Sequence, residues 1–157
     1  MASNKELGNE LEKRVCEILT KNFGFWTHRL TQSAAGQPAD VIAVGNDIAH
    51  LIECKYISGK RFGLSRIEQN QITSNYAWGA AGNRFSWVAF GIGEDIVMIE
   101  FDTVLDWIND ERKTVTVEEI YKYCCGIDEW GKDGGRCSDN WAFDEDYWDN
   151  YDDDFDD

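Results

Sequence analysis

The sequence predicts an α/β fold in which a central mixed β-sheet is flanked by helices, and three observations lead to this prediction. The first segment carries apolar residues at helical spacing. Two pairs of apolar stretches follow, and each pair is joined by a short turn sequence, as expected of β-hairpins. Helical patterns separate and follow these pairs, and such helices cover a sheet. The apolar stripe of the first segment comprises Leu7, Leu11, Val15, Ile18 and Leu19.

The elements can be placed in order along the chain. The turn-forming residues Gly45, Asn46 and Asp47 mark the first hairpin, and residues 91–95 mark the second. No internal repeat is evident. The predicted elements are a helix at 5–22, strands near 25–31, 39–45 and 48–56, a helix at 64–81, strands at 85–91 and 95–101, and helices near 102–110 and 117–124.

Asp40, Glu53 and Lys55 are the residues of the first hairpin that indicate chemistry. Side chains two positions apart on a strand share a face, so Glu53 and Lys55 lie together. Antiparallel pairing brings Asp40, at the entry to the first strand, close to them. Two carboxylates suit a hard divalent cation, which lowers the pKa of a bound water. A lysine beside it stabilises negative charge on a phosphate, and the three residues therefore indicate a metal-dependent nuclease site.

The spacing of Glu53 and Lys55 is a weak signal by itself, because an acidic chain produces Glu-x-Lys by chance. A second copy occurs at Glu111 and Lys113, but it follows a polar helix end with no strand before it. Glu53 instead ends an apolar run. The alternative for the first copy is an edge-strand salt bridge between Glu53 and a neighbour.

Four motifs lie between about residues 5 and 102: Gly8 to Glu12, Trp26 to Gly36, the core of Asp40, Glu53 and Lys55, and Phe62 to Gln71. Together they resemble the PD-(D/E)XK nuclease superfamily, and within it the Holliday-junction resolvases of archaea, bacteria and their phages. One departure is that Ala39 stands between Pro38 and Asp40, where the family usually has its proline directly before the aspartate. The resemblance implies a restriction-endonuclease-like core with the active site at one sheet edge.

The resemblance also implies a metal centre. Glu12, Asp40 and Glu53 would hold Mg²⁺, with Mn²⁺ as the other candidate, and the backbone carbonyl of Cys54 would be a further ligand. Glu12 lies at the flank of the apolar stripe of its helix. The alternative for Glu12 is an ordinary surface position on that helix.

Two further catalytic positions follow from the same resemblance. Lys55 would act on the nucleophile and the phosphate, and Gln71 would hold Lys55 or the attacking water. Gln69 competes with Gln71, because the archaeal pattern favours a Glu-Gln pair like Glu68-Gln69. A position on the helix surface is the alternative for either glutamine.

Basic side chains near these residues predict a DNA-binding patch. Residues 1–127 carry a net charge of −4, so affinity for phosphates has to come from a local cluster. Arg29 and Ser33 are candidates for phosphate contacts, although Ser33 suits an ordinary loop equally well. The remaining cluster comprises Lys55, Lys60, Arg61 and Arg66, with Lys21 as a possible neighbour.

The sequence predicts two parts, a nuclease domain at 1–127 and an acidic, aromatic-rich tail at 128–157. The tail carries 13 acidic and 2 basic side chains, which is −11 of the total −15. Such a composition cannot build a packed core, so we expect disorder. Three roles are open for the tail: a solubilising terminus, competition with DNA for the basic patch, and recruitment of a partner.

Five cysteines without a signal peptide or a long apolar segment indicate a reducing, cytoplasmic setting, or the host cytoplasm for a phage protein. Disulfides are not expected. Cys16 and Cys54 fall in apolar segments and suit a core. A zinc site at Cys124, Cys125 and Cys137 would need a fourth ligand, and neither histidine has the usual finger spacing.

We therefore expect a magnesium-dependent endonuclease of resolvase type that acts on branched DNA as a homodimer with two sites. One alternative is another nuclease of the same fold, acting on linear or modified DNA. The other is a non-catalytic protein that binds DNA or a partner through its acidic tail. The three residues Asp40, Glu53 and Lys55 argue against the second alternative.

Overall fold

The computed structural model describes residues 2–30, 37 and 39–137. A long helix opens the chain, and eight strands and four more helices follow it within these residues. The elements are α1 (Asn4–Phe23), β1 (Trp26–Arg29), β2 (Val41–Gly45), β3 (Ile48–Ile57), β4 (Arg61–Gly63), α2 (Gln69–Ala80), β5 (Phe85–Ile92), β6 (Asp95–Glu100), α3 (Phe101–Asn109), β7 (Thr114–Thr116), α4 (Val117–Tyr123), β8 (Cys125–Gly126) and α5 (Ile127–Lys132).

Six strands form one mixed sheet in the order β1-β2-β3-β5-β6-β8. β3 and β5 pair in parallel, whereas the other neighbours are antiparallel. Strands β4 and β7 form a separate antiparallel pair. The α/β fold with a central mixed sheet and flanking helices is therefore confirmed.

Two apolar clusters cover the two faces of this sheet. Successive strand residues point to opposite faces, and in β5 Trp87 belongs to one cluster while Val88 belongs to the other. Leu11, Val15 and Leu19 of α1 and Trp130 of α5 pack on the first face. Residues of α3 and α4 pack on the second, among them Val104, Leu105 and Ile120.

Both predicted hairpins are present. In the first, Asn46 and Asp47 have φ angles of 54° and 64°, which is the left-handed pair that a two-residue hairpin turn requires. Asparagine and aspartate tolerate this conformation better than most residues do. The turn fixes the register of β2 against β3, and with it the position of the residue just before β2.

The helix predicted at 64–81 is shorter than expected. Leu64–Arg66 form one turn of 3-10 helix, and α2 begins only at Gln69. The preceding residues pair with β7 instead, and the backbone N–H of Leu64 donates to the carbonyl of Lys113 at 2.9 Å. Burial of Phe62 and Ile67 against the second apolar cluster has overridden the helical pattern here.

The expected start of the tail at residue 128 needs correction, because residues 128–137 pack with the domain. Trp130 in α5 is fully buried against α1 and the sheet. Cys125 and Cys137 form a disulfide, although none was expected, because α5 turns the chain back and brings their Cα atoms to 5.6 Å. Residues 138–157, the remainder of the predicted tail, lie outside the described residues.

Among the described residues, no helix has the length and apolar character needed to cross a membrane.

Candidate active site

The backbone of both neighbouring strands positions Asp40. Its N–H donates to the carbonyl of Ile52 on β3 at 3.1 Å, and its carbonyl accepts from the N–H of Leu30 at 2.9 Å. Its carboxylate oxygen Oδ2 accepts the backbone N–H of Cys54 at 2.7 Å. Asp40 is thus held beside β3, and its carboxylate lies next to that of Glu53 as the hairpin register predicts.

Glu53 is almost completely buried, with 2% of its surface exposed. Its oxygen Oε1 lies 3.3 Å from Nζ of Lys55 and accepts from Nε2 of Gln71 at 2.7 Å. The other oxygen, Oε2, is buried and has no hydrogen-bond partner in the described part of the chain. Glu53 and Lys55 therefore lie on the same face of β3, as the alternation along the strand predicts.

Gln71 reaches the acidic residues because of its place in the first turn of α2. Its Oε1 accepts the backbone N–H of Glu68 at 2.8 Å, just before the helix begins. That bond satisfies one of the open donors of a helix N-terminus and turns Nε2 toward Glu53. Gln71 therefore contacts Glu53 rather than Lys55. The side-chain amide of Gln69 instead lies 3.4 Å from the hydroxyl of Thr73.

Glu12 approaches the same cluster from α1. Its Oε2 accepts from Nη2 of Arg29 at 2.9 Å, and its carboxyl group also interacts with that of Asp40. Burial and the neighbouring Asp40 raise the pKa of Glu12 to about 7, although Arg29 opposes this. Burial and Asp40 also raise the pKa of Glu53 well above its usual range, while Lys55 opposes the rise. Three carboxyl groups therefore crowd into a poorly hydrated space.

Such a cluster suits a hard divalent cation. No three Asp, Glu, His or Cys side chains among residues 2–30, 37 and 39–137 are already arranged as a ligand set. Donors from the protein bond to several of the carboxylate oxygens. The partnerless Oε2 of Glu53 and the raised pKa values of Glu12 and Glu53 nevertheless indicate uncompensated negative charge. Carboxylate oxygens are the ligands that Mg²⁺ and Mn²⁺ favour, so these residues fit such an ion.

The candidates for DNA binding occupy different surroundings. Arg29 is engaged by Glu12, and Lys55 is largely enclosed in the cluster. Arg66 donates to the carbonyl of Tyr56 at 2.8 Å and packs over the ring of Phe62. Exposed side chains that follow the C-terminal end of β3 are Lys60, Arg61 and Arg66, whereas Ser33 lies outside the described residues.

The second Glu-x-Lys copy is not part of this cluster. Glu111 is exposed in the turn after α3 and has a φ of 62°. The neighbouring Arg112 pairs with Glu119 of α4 at 2.7 Å. The preference for the copy at Glu53 and Lys55 agrees with these positions.

Two further residues are linked to the cluster by hydrogen bonds, one directly and the other through the first. The side-chain amide of Gln37 donates to Oδ1 of Asp40. In turn, Nδ2 of Asn70 on α2 donates to the backbone carbonyl of Gln37 at 3.1 Å. Both are ordinary polar residues in the sequence, and no motif marks their contact.

The fold can be compared with known structures. It matches that of Archaeoglobus fulgidus Hjc, a Holliday junction resolvase from an archaeal hyperthermophile, with a TM-score of 0.61 and 17% sequence identity. The match covers 79% of this chain and 99% of that one. The chain has the fold of a Holliday-junction resolvase. The predicted restriction-endonuclease-like fold, a central mixed sheet flanked by helices, is therefore confirmed.

Sequence comparison gives no further relative. No family model matches the chain, and neither does any curated protein. The acidic cluster lies at the start of β2, next to β3, and these are the second and third strands of the six-stranded sheet.

Proposed function

We propose that this protein is a metal-dependent endodeoxyribonuclease that cuts four-way DNA junctions. The observation that carries the proposal is the convergence of Glu12, Asp40, Glu53 and Lys55 at one place in a resolvase fold. A buried cluster of acids with a lysine costs folding free energy, because desolvation penalises each charge. Clusters of this kind occur preferentially where a protein carries out chemistry.

Glu12, Asp40 and Glu53 would hold Mg²⁺ or Mn²⁺, with the backbone carbonyl of Cys54 as a further ligand. The bound ion would supply a water of lowered pKa and would neutralise charge on the phosphate. The backbone N–H of Cys54 keeps Asp40 oriented toward this point. Gln71 keeps Glu53 oriented in the same way, which is a positioning role.

Lys55 would act directly on the reacting groups. Its ammonium group lies 3.3 Å from Glu53 and is mostly enclosed, so its charge is weakly screened. There it can orient an attacking water and stabilise the negative charge that develops on the phosphate oxygens. Removal of this charge should lower the cleavage rate more than the affinity for DNA.

DNA would approach over the exposed basic side chains that follow β3. Lys60, Arg61 and Arg66 offer phosphate contacts, which position a duplex without reading its sequence. Arg29, now paired with Glu12, and Ser33 are further candidates for such contacts. Paired cuts across a junction require two sites, so we propose that the protein acts as a homodimer.

The test is cleavage of a labelled four-way junction and of a matched linear duplex, with Mg²⁺ or with a chelator. We expect paired, symmetric nicks in the junction only, which disappear with the chelator and in a Lys55→Ala variant. Cleavage of both substrates would keep the nuclease and reject the junction preference. Absence of cleavage by the full chain and by a chain ending at Cys137 would reject the nuclease.

A further inference from the structure

The carboxylate of Asp40 depends on a contact that crosses from α2. Its oxygen Oδ2 is held by the backbone N–H of Cys54, while Oδ1 accepts from the side-chain amide of Gln37. The backbone of Gln37 is in turn tied to α2, because Nδ2 of Asn70 donates to its carbonyl at 3.1 Å. A chain of two hydrogen bonds therefore runs from Asn70 to the carboxylate of Asp40.

The next residue of α2 holds the other buried acid. Gln71 donates to Glu53 at 2.7 Å, and its own orientation is fixed by the bond to the backbone of Glu68. Asn70 and Gln71 are thus consecutive residues in the first turn of one helix, and each controls one of two neighbouring carboxylates. The start of α2 therefore supports the separation of Asp40 and Glu53 that the register of β2 against β3 establishes.

This separation needs support, because the two carboxylates repel each other. The space around Glu53 is nearly closed to water, so the repulsion between the two carboxylates is weakly screened. Two like charges in such a place move apart unless other groups hold them. Outer hydrogen-bond partners of metal-binding side chains typically contribute a factor of about 10–100 in metal affinity or activity.

We propose that Asn70, acting through Gln37, is a positioning residue that keeps Asp40 in place for a divalent cation. The inference rests on the proposed function, since it assumes that Asp40 binds the ion. Asn70 does not touch the ion or the substrate. Its contribution is to fix the backbone of Gln37, whose side-chain amide donates to the carboxylate of Asp40.

The test measures binding of Mn²⁺ to the full-length protein without DNA, by electron paramagnetic resonance or calorimetry. Asn70→Ala should weaken Mn²⁺ binding by about 10-fold. Asn70→Asp keeps the size of the side chain but removes the donor, so it should weaken binding as well. Gln37→Ala should have a similar effect. The Gln37→Ala/Asn70→Ala double variant should lose no more Mn²⁺ affinity than the single variant with the larger loss, because both residues belong to one chain of contacts.

Gln69→Ala is the matched control. Gln69 is the preceding residue of the same helix turn, but its amide contacts the exposed Thr73. This variant should bind Mn²⁺ as the wild type does. Thermal unfolding of each variant checks that the fold is kept, and in a cleavage assay Asn70→Ala should respond to raised Mg²⁺ concentration while KM for DNA stays unchanged.

Two failures can be told apart. If the wild type binds Mn²⁺ and Asp40→Asn abolishes binding, while Asn70→Ala and Asn70→Asp bind as the wild type does, the role of Asn70 is wrong and the metal centre stands. Additive losses in the double variant would also overturn the proposed chain of contacts. If the wild type binds no Mn²⁺, the metal centre itself is wrong, and the role of Asn70 falls with it.

Discussion

Burial raises the pKa of acidic side chains that the fold encloses, and Glu100 is an example outside the candidate active site. Burial, with a smaller contribution from Asp102, raises the pKa of Glu100 from 4.5 to about 7. The folded state therefore holds this proton more tightly than the unfolded chain does. Its contribution to stability is fully present below about pH 4.5 and is lost as the pH rises through about 7.

A Glu100→Gln variant should consequently melt at a higher temperature than the wild type at pH 8, with a much smaller difference at pH 5. The side chain is partly exposed, so we discount the effect to about 1 kcal/mol, or about 2–4 °C. Thermal unfolding at the two pH values measures it. Glu10→Gln, at an exposed position of α1, is the control, and an equal shift in both variants would show that burial is not the cause.

Some contacts of the candidate active site can be predicted from the sequence, and others cannot. Strand alternation and hairpin register suffice to bring Asp40, Glu53 and Lys55 together. The contact between Gln37 and Asn70 joins residues 33 positions apart and follows no periodic pattern. It depends on where α2 begins, which is two residues after the buried Ile67.

At the scale of elements, α5 and its disulfide close the C-terminal side of the first apolar cluster. Trp130 packs edge-on against Trp87, and Cys137 is buried beside them in the same cluster. The disulfide spans a sequence separation of 12 residues. A closed loop of this length restricts the unfolded chain and stabilises the folded state by about 2–3 kcal/mol.

Replacement Cys137→Ser should therefore lower the free energy of unfolding by about 2–3 kcal/mol in urea titrations without reductant. A reductant should lower the stability of the wild type to nearly the same value. Cys124→Ser changes a free cysteine and serves as the control. If reductant does not change the free energy of unfolding of the wild type, and free-thiol titration finds five thiols, the Cys125–Cys137 bond is absent in solution.

These elements explain why sequence prediction succeeded for one part of the chain and failed for another. The hairpin of β2 and β3 carries its own turn signal at Asn46 and Asp47, so it was predictable. Helix α5 has only six residues and an acidic composition, and these features gave no indication of a buried helix. Its fold depends on tertiary packing of Trp130 and on a disulfide that spacing alone does not reveal.

On the scale of the whole molecule, charge is distributed unevenly. Residues 138–157 carry ten acidic side chains and no basic one, which leaves −5 of the total −15 on residues 1–137. A negative segment tethered to a DNA-binding domain competes with phosphates for its basic side chains, and salt weakens this competition. We propose that the segment lowers the affinity of the chain for DNA.

A chain ending at Cys137 should bind a DNA junction about 10-fold more tightly than the full chain at low salt, with a smaller difference at high salt. Binding in Ca²⁺, at several salt concentrations, measures this. A full-length variant with neutral residues in place of the ten acids keeps the aromatic side chains and separates charge from aromatic contacts. Equal affinities for the full and shortened chains would refute the competition.

We propose that Glu12, Asp40 and Glu53 form one metal-dependent site for cutting DNA. The most direct test is single-turnover cleavage of a labelled four-way junction in Mg²⁺ by the wild type, Asp40→Asn and Glu53→Gln, with junction binding measured in parallel. Either substitution should lower the cleavage rate at least about 100-fold while binding to the junction persists. Cleavage at the wild-type rate by either variant would contradict it.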